Sequence, residues 1–196
     1  MSELQTAGDL VDKLFAVHDS LTKAGLAHAF GGALALAYCT AEPRGTRDLD
    51  VNIFTAAAHA QAAFKALPRE VAVSAADVDA AASEGQRRLW WGETPIDVFL
   101  NHHPLHEAAA RGVVWVPLAG RQIPVLDCAS LVVFKALFDR TKDWADIEAV
   151  LDSTPVQVEQ AAVTVAQLLG EDDAIYQRLI ALTRGVEAGP SMPHSP

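Results

Sequence analysis

The sequence predicts a mixed α/β fold that gives way to helices in its last third, on three observations. The stretch Asp48–Phe54 alternates strictly: Leu49, Val51 and Ile53 fall on one side, Asp48, Asp50 and Asn52 on the other, the period of a half-buried strand. Two longer segments, 87–101 and 113–126, are apolar runs broken at Gly92-Glu93 and Ala119-Gly120, the pattern of β-hairpins. From Asp127 onward the apolar residues fall at helical spacing.

The remaining elements follow in order. Leu10, Leu14, Val17 and Leu21 form one stripe of an amphipathic helix over 8–24, stopped by Gly25. Residues 26–30 read as a short strand entering Gly31-Gly32, and 33–39 as a helix of small residues. A loop with Pro43 and Gly45 leads to the alternating strand. An alanine-rich helix is expected over 56–67, closed by Pro68. Residues 71–85 are ambiguous, with "EVAVS" readable as a strand and "DVDAAAS" as a helical turn. A short helix is expected within 103–112, and four helices over 128–140, 143–152, 156–169 and 172–184. The expected organisation is a core over 1–126, a helical region over 127–186 packed on it, and a disordered tail over 187–196 carrying Pro190, Pro193 and Pro196.

Composition bounds the function. The chain of 196 residues is 51% apolar and 20% charged, enough for a core. Its apolar runs fall short of the roughly 20 residues that a membrane-spanning helix needs. The N-terminus lacks the basic start and apolar stretch of a signal peptide. The expectation is therefore a cytoplasmic protein with no membrane partner. Cys39 and Cys128 lie in apolar segments outside any CxxC pattern and are expected as buried free thiols. A net charge of −10 argues against coating long nucleic acids, whose affinity rests on phosphate neutralisation. A polyphosphate must arrive with a metal ion or meet clustered Arg and Lys.

Asp48 and Asp50 stand at i and i+2 of a strand, so they project together with Cα atoms roughly 6.5–7 Å apart. Such a pair suits a shared divalent ion; the alternative is two solvated acids on an open sheet face. Asp97 lies inside "PIDVFL", where a charge is costly without a partner. That partner is either a buried Arg or a cation shared with the first two acids, in an oxygen cage of the kind Mg²⁺ accepts alongside phosphates. Two such ions about 3.5–4 Å apart can stabilise the attacking and leaving oxygens of phosphoryl transfer. Gly31-Gly32 joins a strand to a helix N-terminus, where backbone N–H groups can face a phosphate.

Together these residues resemble a known family. "FGGALALAYCTAEPRGTRDLDVNIF" is similar to the first motif of DNA polymerase β-type nucleotidyltransferases, and "PRGTRDLDV" to the corresponding run of bacterial AbiEii-like and minimal nucleotidyltransferases of toxin–antitoxin systems. "IDVFL" resembles the strand of the third carboxylate, and 123–151 the helical region of that group. The glycine pair stands where Gly-Ser is commoner. The resemblance implies two Mg²⁺ ions on Asp48, Asp50 and Asp97, with Asp97 helping to deprotonate the acceptor hydroxyl. It implies an NTP cradled by Gly31 and Gly32, with Arg44, Thr46 and Arg47 contacting phosphates or fixing the loop, and Lys135 reaching the phosphates. Arg140, Lys142, Asp143 and Asp146 would complete the helical motif, their alternative being solvated helix charges. The activity implied is transfer of an NMP to a hydroxyl of an RNA end or a protein, with a toxin or antitoxin partner. An antibiotic (small-molecule) nucleotidyltransferase shows similar motifs and is the second reading; a non-catalytic antitoxin-like binding partner is the third.

Two signals are set aside. His102, His103 and His106 match no standard zinc spacing and read as a loop leading into a helix. Trp90-Trp91 must send one ring to each face of a hairpin, one into the core and the other free for a base or a partner.

Overall fold

A computed structural model describes residues 3–42 and 45–187 of the chain. Arg44 and residues 188–196 of the expected tail lie outside the described residues. The chain divides into two compact units: Met1–Tyr38 with Glu42–Asp127, and Cys39–Ala41 with Cys128–Pro196.

The first unit is built on the predicted strands. β1 (His28–Phe30), β2 (Leu49–Ala56), β3 (Gln86–Trp91), β4 (Thr94–Asn101), β5 (Val114–Leu118) and β6 (Arg121–Val125) form one sheet. Their order across it is β3-β4-β2-β1-β6-β5. β2 runs parallel to β4 and β1 to β6, while the other neighbours are antiparallel, so the sheet is mixed. In β2 the alternation works as expected: Leu49, Val51 and Ile53 are buried, and their partners Ile96, Val98 and Leu100 on β4 are fully enclosed beside them. Helix α1 (Glu3–Lys23) reaches this apolar side at two points. Its Lys13 ammonium donates to Thr94, which shares a side with Ile96, and its His18 meets His28, which pairs with Ile53.

α2 (Gly32–Thr40) follows the glycine pair as expected. The helix expected over 56–67 is instead a 3₁₀ turn, Ala57–His59, followed by α3 (Ala60–Lys65). The ambiguous stretch resolves as α4 (Ala75–Glu84). Its start is set by a capping box: the Asp77 amide donates to the Ser74 hydroxyl at 3.2 Å, and the Ser74 amide to Asp77 Oδ2 at 2.8 Å. Of the expected "EVAVS" strand only one bridge forms, Ala72 to Trp90. Local capping outweighs β-propensity here. α4 ends at Gly85, with φ at +74° and with His102 Cβ only 2.4 Å from where its own Cβ would stand. α5 (Pro104–Arg111) is capped by the His103 ring, which accepts from the Leu105 amide at 3.2 Å.

The second unit is helical: α6 (Cys128–Phe138), α7 (Thr141–Ser153), α8 (Pro155–Leu169) and α9 (Ala174–Glu187). α6 packs with α7 and α8, and α8 with α9. Ala136, Trp144, Ile147, Val158, Val165 and Leu179 are buried, the face that helical periodicity selects. The cysteines correct an expectation. They are not free thiols: Cys39, near the end of α2, is bonded to Cys128 at the start of α6, with Cα atoms 5.5 Å apart. An 89-residue separation leaves no local signal for this pairing. Among the described residues no helix is long and apolar enough to cross a membrane.

Candidate functional site

The site begins with strand register. Asp50 of β2 is the Cα partner of Asp97 on β4, and Asp97 is the Cα partner of Arg88 on β3. Partners across a sheet project to the same face. Asp50, Asp97 and Arg88 therefore form one row over three neighbouring strands, on the face opposite Val51 and Val98. Asp48 stands two residues before Asp50, at the mouth of β2.

The Gly31-Gly32 turn lies directly against this row. The Gly31 amide donates to the Asp50 carbonyl at 2.9 Å. A Cβ on Gly32 would stand 1.9 Å from Asp50 Oδ2, and Gly32 also has φ at +51°. No other residue fits there: the backbone needs the left-handed region and the carboxylate fills the side-chain space. The glycine pair thus brings the N-terminus of α2 up to the second acid.

Arg88, absent from the sequence expectations, organises the charges. Its Nε donates to Asp97 Oδ1 at 2.7 Å and its Nη2 to Asp97 Oδ2 at 2.6 Å, a two-pronged pair. The same Nη2 is 3.9 Å from Asp48 Oδ2. The bond to Asp97 raises the Arg88 pKa above its ordinary value, with the Asp97 charge adding to this and Asp48 and Asp50 contributing less. The Arg88 side chain is nonetheless 52% exposed, against 20% for Asp97 and 38% for Asp48. Of the two partners open to Asp97 in the sequence, the arginine is present, and it is half in solvent instead of buried. A signal for it existed. A two-residue turn at Gly92-Glu93 pairs 91 with 94, and counting back places 88 opposite 97.

Other expected residues take definite places. Thr46 Oγ1 donates to Asp48 Oδ1 and accepts from the Asp48 amide at 3.4 Å, so Thr46 orients the carboxylate. Arg47 is exposed. In the helical unit, Lys135, Arg140, Asp143 and Asp146 come together: Lys135 Nζ donates to Asp146 Oδ2 at 2.6 Å and to Asp143 Oδ1 at 3.3 Å, and Arg140 Nε to Asp143 Oδ2 at 2.5 Å. The Lys135 side chain is only 10% exposed and Asp143 1%. Lys142 is exposed. Beside Arg88 a cavity of about 390 Å³ opens at the sheet edge, lined also by Val73, Ser74, Asp77 and Trp90. Trp90 is the outward ring of the tryptophan pair, 47% exposed.

Asp48, Asp50 and Asp97 offer hard carboxylate oxygens on one face, and Gly32 leaves a cradle at Asp50 that a Cβ would fill. By chemistry the set fits Mg²⁺. Among the described residues no three such groups converge on one point, and the positive charge next to Asp97 is Arg88.

Solved structures with the same fold exist. The chain is similar to the antibiotic-resistance factor ANT(2'')-Ia in solution, with 12% identity and a TM-score of 0.57 over 92% of this chain and 98% of that one. It is also similar to an antigenic nucleotidyltransferase-like protein from Paracoccidioides brasiliensis (15% identity, TM-score 0.49, 88% and 91% covered). A third likeness is to ANT(2")-Ia in complex with adenylyl-2"-tobramycin (14% identity, TM-score 0.48, 92% and 99% covered). No protein-family model matches the chain, nor does any curated protein. The mixed α/β fold expected from the sequence is the one found, and it is shared with ANT(2'')-Ia.

Proposed function

We propose that the chain is a metal-dependent nucleotidyltransferase that moves an NMP from an NTP to a hydroxyl. The observation that carries this reading is the register row: Asp50 beside Asp97, with the Gly31-Gly32 turn seated on Asp50. Asp48, Asp50 and Asp97 would hold the divalent ion, which would supply positive charge to offset the charge that builds on the triphosphate oxygens. The Gly31-Gly32 turn and the start of α2 present backbone N–H groups to the phosphates. The acceptor oxygen bonds to the α-phosphorus, the α–β bridging P–O bond breaks, and pyrophosphate leaves. The hydroxyl proton passes to a carboxylate oxygen of Asp97 once Arg88 has released it.

Among acceptors, the sequence puts an RNA end or a protein of a toxin–antitoxin system first. Three features favour a small hydroxylated molecule instead. The cavity beside Arg88 and Trp90, at about 390 Å³, is of small-ligand size. The net charge of −10 suits a cationic acceptor better than bulk RNA. The fold is shared with an antibiotic-resistance factor over 98% of that chain.

The test uses purified protein, Mg²⁺ and each α-labelled NTP, offered a mixture of hydroxylated small molecules and cell lysate, with Asp48→Asn and Asp97→Asn alongside. Label on a small molecule, lost in both variants, is the expected result. Label on RNA or protein would keep the transfer and replace the acceptor. No transfer, together with no calorimetric binding of Mg²⁺–NTP, would overturn the reading in favour of a non-catalytic binding partner.

A further inference from the structure

We infer that Arg88 is a built-in competitor of the divalent ion: its guanidinium and the metal are alternative partners of Asp97. This rests on the metal-dependent reading of the same site.

Three observations point to it. Asp48, Asp50 and Asp97 crowd one face, and like charges repel without a cation. Arg88 is that cation, bonded to both oxygens of Asp97 and 3.9 Å from Asp48. A guanidinium bonded to both oxygens occupies the side of Asp97 that a chelating metal would use, and among the described residues no three acidic groups converge while this pair stands. The pair is also easily exchanged. Arg88 is 52% exposed on β3, an edge strand of the sheet, so water can solvate the guanidinium when it lets go. A buried partner would have locked Asp97 permanently.

The consequence is a metal site with weakened affinity for the bare ion. Metal binding must displace Arg88, and a metal that arrives already neutralising a triphosphate brings further contacts at Gly31-Gly32 to offset that loss. Arg88 then sits free on the metal side of Trp90 and the adjoining cavity. The neighbouring Arg87 supplies a control. It projects to the other face of β3 and pairs with Asp77 at 2.7 Å, so it carries similar charge at similar distance along the chain without touching the row.

The experiment is a Mn²⁺ titration followed by electron paramagnetic resonance, without nucleotide, on the full chain. Arg88→Gln is expected to bind Mn²⁺ on the order of tenfold more tightly than the unmodified protein, and Arg88→Lys to fall between them. Arg87→Gln should match the unmodified protein, and adding Asp97→Asn to Arg88→Gln should erase the gain. An Arg88→Gln affinity equal to or weaker than the unmodified one overturns the inference, as does a gain that survives Asp97→Asn. Those outcomes leave the nucleotidyltransferase reading intact. Failure of every variant to bind Mn²⁺ also overturns the inference, while the nucleotidyltransferase reading falls only if Mg²⁺–NTP binding and label transfer fail as well.

Discussion

The molecule holds two clusters of basic and acidic side chains that look alike in sequence and differ in solvent. On the sheet, Arg88 grips Asp97 with half its side chain in water. In the helical unit, Lys135 grips Asp143 and Asp146 with a tenth of its side chain exposed, and Arg140 closes the other side of Asp143. Both are well bonded, so hydrogen-bond geometry does not separate them. Burial does. A buried charge that loses its partner stays uncompensated, whereas an exposed one is taken up by water. Exchanging partners therefore costs less in the sheet cluster than in the helical one, which is the property a ligand site needs.

The largest expected effect tests that contrast directly. Lys135→Ala should destabilise the protein by about 3–5 kcal/mol, because the buried carboxylates of Asp143 and Asp146 lose the ammonium that lies between them. Chemical denaturation measures it; a loss under about 1 kcal/mol would break the distinction. Next comes the disulfide of the helical unit. Cys128→Ser should cost about 2–4 kcal/mol, since the bond closes a long loop in the unfolded chain. Thermal unfolding with and without a thiol reductant reads the same quantity on the unmodified protein.

Gly32→Ala should cost about 1–3 kcal/mol from its positive φ and its collision with the Asp50 carboxylate. Calorimetry should show NTP binding weakened as well. At the small end, Arg88→Gln should shift stability by no more than about 1 kcal/mol, the scale of an exposed pair. A larger loss would move Arg88 into the structural class.

Acid sharpens the same contrast. Burial pushes the Asp143 carboxyl up, but the Arg140 hydrogen bond and the Lys135 charge outweigh it and hold its pKa below the ordinary value. Its contribution is present above the unfolded pKa of about 4 and is lost as pH falls through the lower folded value. His18 and His28, joined ring to ring at 2.8 Å, have pKa values lowered by burial. There the unfolded state binds more protons, so stability is present above about pH 6.5 and falls as pH drops toward the depressed folded values. Urea midpoints between pH 8 and pH 3 should show the histidine loss first and the Asp143 loss last. His28→Asn should flatten the first step and leave the second.

What the sequence determined by itself was local. Period-two alternation gave β2 its two faces, the turn at Gly92-Glu93 gave the β3–β4 hairpin, and the spacing of Gly31-Gly32 ahead of Asp48 and Asp50 gave a strand, a tight turn and a helix. These are decided within a few residues, where backbone sterics and one apolar face suffice. Even Arg88 was within reach, because a two-residue turn fixes the pairing of everything behind it. The capping box at Ser74 is equally local, since Ser74 and Asp77 alone set the start of α4. Tertiary structure alone decided the parallel pairing that sets Asp50 beside Asp97, the closure of Lys135 on Asp143 and Asp146, and the bond between Cys39 and Cys128. Parallel register and a cysteine pair 89 residues apart have no local signature, since each depends on where distant segments settle when the whole apolar surface is buried. Exposure, the property that separates the exchangeable cluster from the fixed one, exists only after that burial is complete.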